Sequence, residues 1–413
     1  MISVQRVEKH IIKRNNPYYQ LIDGFCFCAK NLYNHANYII RQEFIENNKW
    51  IRYNDLDNLL RADAEFPDYK NMPTAQSAQQ ILRILDKNWQ SFFKSIKDWT
   101  KHKDKYLGKP NLPKYKNKSG RYMLVLTNQN VKLYNNILKF PKVFNGFSIQ
   151  PQFIYKDNFI SFQQVRFIPK SNHIVVELIY NIAASEKKQD NGRYLSIDIG
   201  VDNLVTVTNN FGERPIIING KGLKSINVYY NKQIAYYQEI AKRMNKLDYT
   251  KRMYSITEKR NYKIDDYLHK ASRQIVKFAN NQNVSVIVIG KNKNWKQSVN
   301  LGKKNNQKFT ELPFARLIEM IQYKAEEFGI QIILTEESYT SGTSFLDIEL
   351  PVAENYNKSR RKHRGLFISD SGQRINADVN GSLQIMKKVF PNAFANGIEA
   401  VALQPLVVNA STI

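Results

Sequence analysis

The sequence predicts two architectures in series. In the N-terminal half a helical bundle interrupts a small β-barrel or sheet, and the C-terminal half is an α/β domain with a mixed sheet. Three observations carry this expectation. Ile81, Leu85, Trp89, Phe92, Ile96 and Trp99 recur at steps of three or four, which is one continuous apolar stripe of a helix. Residues 121–183 alternate between apolar and polar, with VRFIP and HIVVELIY reading as strands. From residue 193 the order is β-hairpin, helices, strand, helix, strand and a final helix, which is the order of an α/β domain.

Along the chain, ISVQRVEKHII near the start alternates as a strand does. LIDGFCFCAKNLYNHANYIIRQEFIENN has helical spacing, so the bundle spans about residues 20–105. The segment 101–121 then holds eight Lys or Arg against the single Asp104, with two prolines. Between a floppy basic linker and a loop lying on phosphates, its place just before strand-like sequence favours the loop. Phe147, Phe153, Tyr155, Phe159 and Phe162 fit a barrel core better than base-stacking platforms, though such rings do stack on bases. After the polar linker ASEKKQDNG, RYLSIDIGVDNLVTVTNNFG reads as a hairpin. Residues 223–280 lack proline and predict two long helices with a tyrosine-rich seam. VSVIVIG, FARLIEMIQYKAEEFG, IQIILTEE and NADVNGSLQIMKKVF follow as strand, helix, strand and helix.

Hydrophobic residues make up 42% of the 413, enough for two or three compact units. The net charge of +26 repels itself unless an anion answers it, which points to a nucleic-acid partner. No apolar run approaches the roughly 18 residues of a membrane span, and MISVQRVEKH has no secretory apolar region. Cys26 and Cys28, two apart, suit neither an ordinary disulfide nor a zinc site. These features predict a soluble intracellular chain with no membrane partner.

Two acids stand out. Asp198 ends an apolar strand in LSIDIGVDN, where a charge must be paired, coordinated or solvated. Asp378 lies between Asn376 and Asn380 at the start of the last helix, where an N-cap is the plain alternative. Taken together, a strand Asp and a helix Asp on one α/β sheet suit two-metal phosphodiester cleavage, which gathers carboxylates around two cations about 4 Å apart.

DIGVDNL, the strand ending near residue 290, SYTS and INADVNGSLQI resemble, in that order, the split RuvC-like nuclease domain of the TnpB proteins. These are transposon-encoded RNA-guided DNA endonucleases related to the compact type V CRISPR effectors. The resemblance implies an RNase H-like (RuvC) α/β nuclease domain, and an N-terminal wedge-like β-barrel interrupted by a helical recognition bundle. Its boundaries would be 1–20 and 106–185 for the wedge, 21–105 for the recognition helices, and 191–338 with 375–395 for the nuclease. A target-nucleic-acid-binding insert at 339–374 and a C-terminal tail at 396–413 complete the chain. The resemblance also implies two Mg²⁺ ions, a non-coding guide RNA encoded beside the gene, a double-stranded DNA target with a short flanking motif, and a cytoplasmic protein acting at the prokaryotic nucleoid.

The sequence departs from the family pattern in two places. Where the family carries Glu at a strand tip, this chain has Gly290, followed by the basic Lys291-Asn292-Lys293, which does not suit Mg²⁺. Where the family carries a four-cysteine zinc ribbon, residues 340–372 contain no cysteine, so no structural zinc is expected. In RNase H-like sheets the following strand is a neighbour roughly 4.8 Å away, and here it ends in Thr335-Glu336-Glu337. A relocated third carboxylate is therefore expected from one of these glutamates. Their side chains point to opposite faces, and Glu337, nearer the following loop, has the edge. Glu311 is a weaker candidate, and Asp202 is placed to support Asp198. The expected metal and catalytic residues are thus Asp198, Glu336 or Glu337, and Asp378. The expected nucleic-acid contacts are Lys105, Lys109, Lys114, Lys116, Lys118, Arg121, Lys291, Lys293, Trp295, Lys296, Arg360, Arg361, Lys362 and Arg364. A guided binder that no longer cuts is the alternative that Gly290 suggests, and an unguided RNA-binding protein is a third reading.

Overall fold

The computed structural model describes residues 3–245, 249–292, 311–363, 365–395, 397 and 403–410. The chain divides into two units, Met1–Ala183 and Ala184–Ile413.

In the first unit the alternating N-terminus forms β1 (Ser3–Lys13). Helices α1 (Tyr19–Asn47), α2 (Tyr53–Ala62) and α3 (Ala75–Lys101) follow. Thr74 caps α3 by accepting from the Ser77 backbone N–H, and the Ser77 hydroxyl returns to the Thr74 N–H, a reciprocal pair that sets the start of the helix. The apolar stripe faces inward, with Ile81, Leu85 and Trp89 fully buried. The Trp89 indole N–H donates to Asn37 on α1, so the largest core side chain is also polar-satisfied.

Strands β2 (Leu124–Thr127), β3 (Lys132–Tyr134), β4 (Ile137–Lys139), β5 (Ser148–Ile149), β6 (Phe159–Pro169) and β7 (His173–Ala183) complete the unit. They form an antiparallel sheet in the order β1-β7-β6-β2 and a separate sheet in the order β3-β4-β5. The expected barrel or sheet is thus realised as two sheets sharing one core with the helices. Among the described residues no ladder joins β1 to β2, so the strands do not close into one cylinder. Phe147, Phe153 and Phe162 are buried and Phe159 packs beside them, while Tyr155 is exposed. The core explanation of these aromatics therefore holds for all but Tyr155.

In the second unit, β8 (Tyr194–Ile199), β9 (Asn203–Asn209) and β10 (Ile216–Asn219) form an antiparallel meander. After α4 (Lys221–Asn245) and α5 (Lys251–Asn281), β11 (Val286–Gly290) returns parallel to β8. Helix α6 (Phe314–Glu326) leads to β12 (Gln331–Thr335), which pairs parallel to β11. β11 and β12 are thus the neighbours that the relocated-glutamate expectation required. Strand alternation gives β8 two different faces. Leu195, Ile197 and Ile199 pack in a core with α5 and α6 residues. Ser196 instead meets α7 (Ala377–Val389), where its hydroxyl, Thr208 and Ser382 bond one another at 2.7–3.2 Å. Asp198 shares the Ser196 face and therefore lies under the first turns of α7. A short strand β16 (Leu406–Val408) pairs parallel to β10.

The cysteine-free segment between β12 and α7 carries β13 (Arg361–His363), β14 (Leu366–Ile368) and β15 (Arg374–Ile375) in one small sheet. Its polar centre is Arg360. The guanidinium donates to both oxygens of Glu349, at 2.6 and 2.9 Å, and to both oxygens of Asp370. Asp347 accepts from the Asp370 backbone N–H at 2.8 Å, closing the same turn. Asp347, Glu349 and Asp370 offer ligand atoms within 4.8 Å of one another, and the arginine supplies the positive charge they face. Arg360→Met should leave two carboxylates without their cation. It is expected to destabilise this segment by about 3 kcal/mol, seen as faster amide exchange over residues 344–375 with α1–α3 unaffected.

Candidate active site

The end of β8, the loop after β11, the residues after β12 and the start of α7 enclose a cavity of about 620 Å³. Asp198, Asp202, Asn203, Lys221, Asn292, Glu337, Arg361 and Asp378 are among the residues that line it. Each acid reaches it by a different local device.

Asp198 projects from β8 toward Gly381 of α7. A Cβ on Gly381 would sit 3.2 Å from the Asp198 Oδ2, so the glycine leaves room for the carboxylate against the helix. Burial, and then the charge of Asp378, push the Asp198 carboxyl up to about 7, against the opposing pull of Arg361.

Asp378 sits in the first turn of α7, but the cap is Asn376. Its Oδ1 accepts from the backbone N–H groups of Asp378 and Val379 at 2.9 and 3.2 Å. The Asp378 side chain is therefore not used as the N-cap. One oxygen accepts from Asn203 at 2.7 Å and the other from Arg361 at 2.8 Å.

Glu337 answers the question raised by Gly290. A Cβ built on Gly290 would lie 2.5 Å from the Glu337 Oε1 and 2.6 Å from its Cγ. The glutamate side chain thus runs through the space that a side chain at position 290 would need. Asn292, in the loop after β11, holds it from both ends. Its amide donates to Oε2 at 3.0 Å, and its oxygen accepts from the Glu337 backbone N–H at 3.1 Å. Oε1 is buried without a hydrogen-bond partner. Burial and the Asp198 charge push the Glu337 carboxyl up to about 8. Glu336 does not line the cavity and is exposed, which corrects its candidacy: the chain has left β12 at Thr335, and consecutive side chains diverge. Glu311 lies elsewhere and accepts from Asn231 of α4 at 2.7 Å. Asp202 lines the cavity and pairs with Lys224.

The expected nucleic-acid residues divide into several groups. Lys105, Lys109, Lys114 and Lys118 are exposed. The backbone around them is pinned to α1, with Asn37 donating to the Pro113 carbonyl, Asn34 to that of Lys116 and Lys30 to that of Lys118. This segment is accordingly not a floppy linker. Lys116 is half-buried over the Tyr33 and Tyr122 rings, and burial lowers its pKa. Arg121 pairs with Asp23. Lys291 and Lys362 are exposed, and Arg361 lies in the cavity on Asp378. Arg360 is corrected, because its guanidinium is turned inward onto Glu349 and Asp370 and has no face left for a phosphate. Lys293, Trp295, Lys296 and Arg364 fall outside the described residues. Reading the sequence missed Asn203, Lys221, Asn292 and Gly381. Only Asn292 carried a signal, as a polar residue two positions past a strand tip stripped of its acid. Among the described residues no helix is long and apolar enough to cross a membrane.

A strand acid, a helix acid and a glutamate held over a glycine thus line one cavity of a mixed sheet. Comparison with known proteins adds a likeness to particular families. Residues 173–296 match the family OrfB_IS605, described as "Probable transposase", and residues 314–385 match the Cas12f1-like TNB domain. The chain is 23% identical over 398 residues to the TnpB-like protein ORF457 of Acidianus two-tailed virus, covering 87% of this chain and 81% of that one. It is 26% identical over 223 residues to the CRISPR-associated endodeoxyribonuclease Cas12f2 of a Micrarchaeota archaeon, spanning 51% of this chain and 39% of that protein. A solved structure of the mini-RNA-guided endonuclease CRISPR-Cas_phi3 aligns over 94% of this chain and 92% of that one, at 9% identity and a TM-score of 0.43, too loose a likeness to argue from. The chain is thus similar to a TnpB-like protein over most of its length and to a Cas12f endodeoxyribonuclease over half of it.

The packing of Glu337 over Gly290 predicts a double-mutant cycle. Gly290→Ala alone drives a methyl into Glu337 and Ile385, which should cost about 1–3 kcal/mol of stability. Combined with Glu337→Ala, the cost of the methyl should shrink by at least about 0.5 kcal/mol in denaturant midpoints. Additive losses would mean the two side chains do not share that space.

Proposed function

We propose that this chain is an RNA-guided DNA endonuclease in which Asp198, Glu337 and Asp378 hold divalent cations, most simply two Mg²⁺ ions. The observation that carries the reading is the Glu337 side chain occupying the space above Gly290, which supplies the cavity with the acid that the strand tip lacks. The donor set fits a hard cation. All three ligands are carboxylates, one oxygen is buried without a partner, and two carboxyls are raised by burial and mutual repulsion, a strain that positive charge relieves. When bound, such ions supply an activated water and stabilise the leaving oxygen of a phosphodiester.

The chain's own residues hold the acids in place. Asn203 fixes one oxygen of Asp378 and Asn292 fixes one oxygen of Glu337, so neither carboxylate is free to rotate away. Arg361 and Lys221 bring positive charge to the same cavity, suited to a backbone phosphate. The relatives support guided DNA cutting. One is named as a CRISPR-associated endodeoxyribonuclease and another as TnpB-like. On this reading, a guide RNA encoded beside the gene lies on the basic N-terminal half, with Lys105, Lys109, Lys114 and Lys118 as phosphate contacts. The target is double-stranded DNA beside a short flanking motif. The domain boundaries expected above belong to the same proposal. A guided binder that no longer cuts is the second reading, drawn from Gly290, and the Glu337 carboxylate in the cavity weighs against it.

Plasmid cleavage by the protein purified with its copurifying RNA tests this reading. Cutting should occur with Mg²⁺ and stop with EDTA. Asp198→Ala and Glu337→Ala should each slow it at least about 100-fold, or about 2.7 kcal/mol of barrier. Glu336→Ala should stay near the parent rate. Cutting that survives Asp198→Ala would overturn the assignment, and binding without cutting in every variant would establish the guided binder.

The raised carboxyls predict a second outcome. Between the ordinary carboxylate pKa and the raised values near 7 and 8, the folded metal-free protein binds more protons than the unfolded chain. Their contribution to stability is therefore present at low pH and is lost as pH rises through that window. Mg²⁺ should raise the melting temperature by a few degrees more above about pH 8 than near pH 6, and Asp198→Asn should reduce both effects. An identical Mg²⁺ shift in Asp198→Asn would place the metal elsewhere.

A further inference from the structure

The cleft between α4 and α5 is not used by the cavity described above. It has a volume of about 440 Å³, within the size range of small-ligand sites. Arg252, Ile256, Lys259 and Lys263 of α5 line one wall at spacings of four, three and four, so they form one helical stripe. From Arg252 to Lys263 that stripe runs about 16 Å. Tyr229 and Tyr230 of α4 line the other wall, with Tyr229 63% exposed although its ring is large and apolar.

The electrostatics are one-sided. Among the described residues no acid lines the cleft. The two helices together carry thirteen Lys or Arg against four Asp or Glu. Among the described residues neither Lys259 nor Lys263 is paired with a carboxylate, and both are exposed. Arg260, by contrast, is committed to the structure, donating to Asn227 and to the Glu311 carbonyl. An open tyrosine face opposite a track of unanswered cations is the chemistry of single-stranded nucleic-acid binding, in which rings stack on bases and cations follow phosphates.

The helix that carries the tyrosines also reaches the acids. Lys221, the first residue of α4, lines the active-site cavity. Ser225, Tyr229 and Lys232 follow it at spacings of four, four and three on the same face. Tyr229 lies about 12 Å along the helix from Lys221. That is a span of roughly two to four nucleotides of one strand, at 3.4 Å per nucleotide stacked and more when extended.

We infer that the α4–α5 cleft is a binding groove for single-stranded DNA, holding the strand being cut a few nucleotides from the cavity with Tyr229 as stacking platform and Arg252, Lys259 and Lys263 as phosphate contacts. The choice of DNA over RNA rests on the cleavage reading above, whereas the groove itself does not.

The test reads binding in a protein whose acids are disabled, so it does not depend on cleavage. In the full-length Asp198→Ala protein, purified with its RNA, fluorescence anisotropy would follow a labelled oligothymidylate and the matching oligouridylate across a salt series. Adding Tyr229→Ala, Lys259→Gln and Lys263→Gln should weaken oligothymidylate binding at least about tenfold. It should also flatten the log–log salt slope by about 1.4, for two phosphates lost. Tyr229→Phe and Lys259→Arg should retain binding, which separates stacking and charge from simple misfolding. Unchanged oligothymidylate binding with an unchanged melting temperature would overturn the groove. Loss confined to oligouridylate would overturn its assignment to DNA. A changed molar mass by light scattering, with DNA binding intact, would show that the face binds protein instead. Should the parent protein fail to cut any DNA while the triple variant still loses oligothymidylate, the groove stands and the nuclease reading falls.

Discussion

The site depends on one steric exchange: a glutamate side chain lies where a glycine has none. Glu337 passes within 2.5 Å of the point where a Cβ on Gly290 would stand, and Asn292 binds both its carboxylate and its backbone N–H. Without the glycine the acid would be excluded, and without the asparagine it would be free to swing into solvent, as its neighbour Glu336 does. Parallel pairing of β11 with β12 makes the exchange possible, because it sets Gly290 opposite Thr335, two residues before the glutamate. A carboxylate from just past the strand next to β11 thereby reaches the cavity above Gly290.

The other two acids depend on how α7 is seated. The hydroxyl cluster of Ser196, Thr208 and Ser382 ties the helix to β8 and β9 through buried hydrogen bonds, and such bonds are expensive to leave unmade. Asn380, fully buried, reaches outward from the same helix to the backbone of Thr343 and Phe345. Helix, sheet and the segment before β13 are thereby held in register. Gly381 then lets Asp198 approach the helix, and Asn376 takes over the capping role that would otherwise occupy Asp378. The acids are left close together and partly buried, which is why burial and mutual repulsion raise two of them despite Arg361.

Charge is distributed for different purposes within this basic chain. Arg360 is spent internally, where its guanidinium gathers Glu349 and Asp370 at the centre of a segment that has no cysteines with which to hold a metal. Its neighbour Arg361, pointing the other way along β13, reaches Asp378 in the cavity. Two adjacent arginines thus face different partners, Arg360 in the turn just before β13 and Arg361 at its first residue.

The sequence by itself determined the helical stripe of α3, the strands β6 to β9, the two long helices, and the pairing of a strand acid with a helix acid at Asp198 and Asp378. Each of these is periodic or local, so spacing and residue type suffice to reveal it. The sequence also narrowed the third acid to two adjacent residues, because strand adjacency follows from the expected sheet. Only the tertiary structure shows that Glu337 and not Glu336 lines the cavity, since that rests on which side chain the chain turns inward after Thr335 and on the void above Gly290. The inward turn of Arg360, the two sheets in place of a closed barrel, and the asparagines that clamp the acids were likewise illegible. Each depends on contacts between residues distant in sequence, which no local period records.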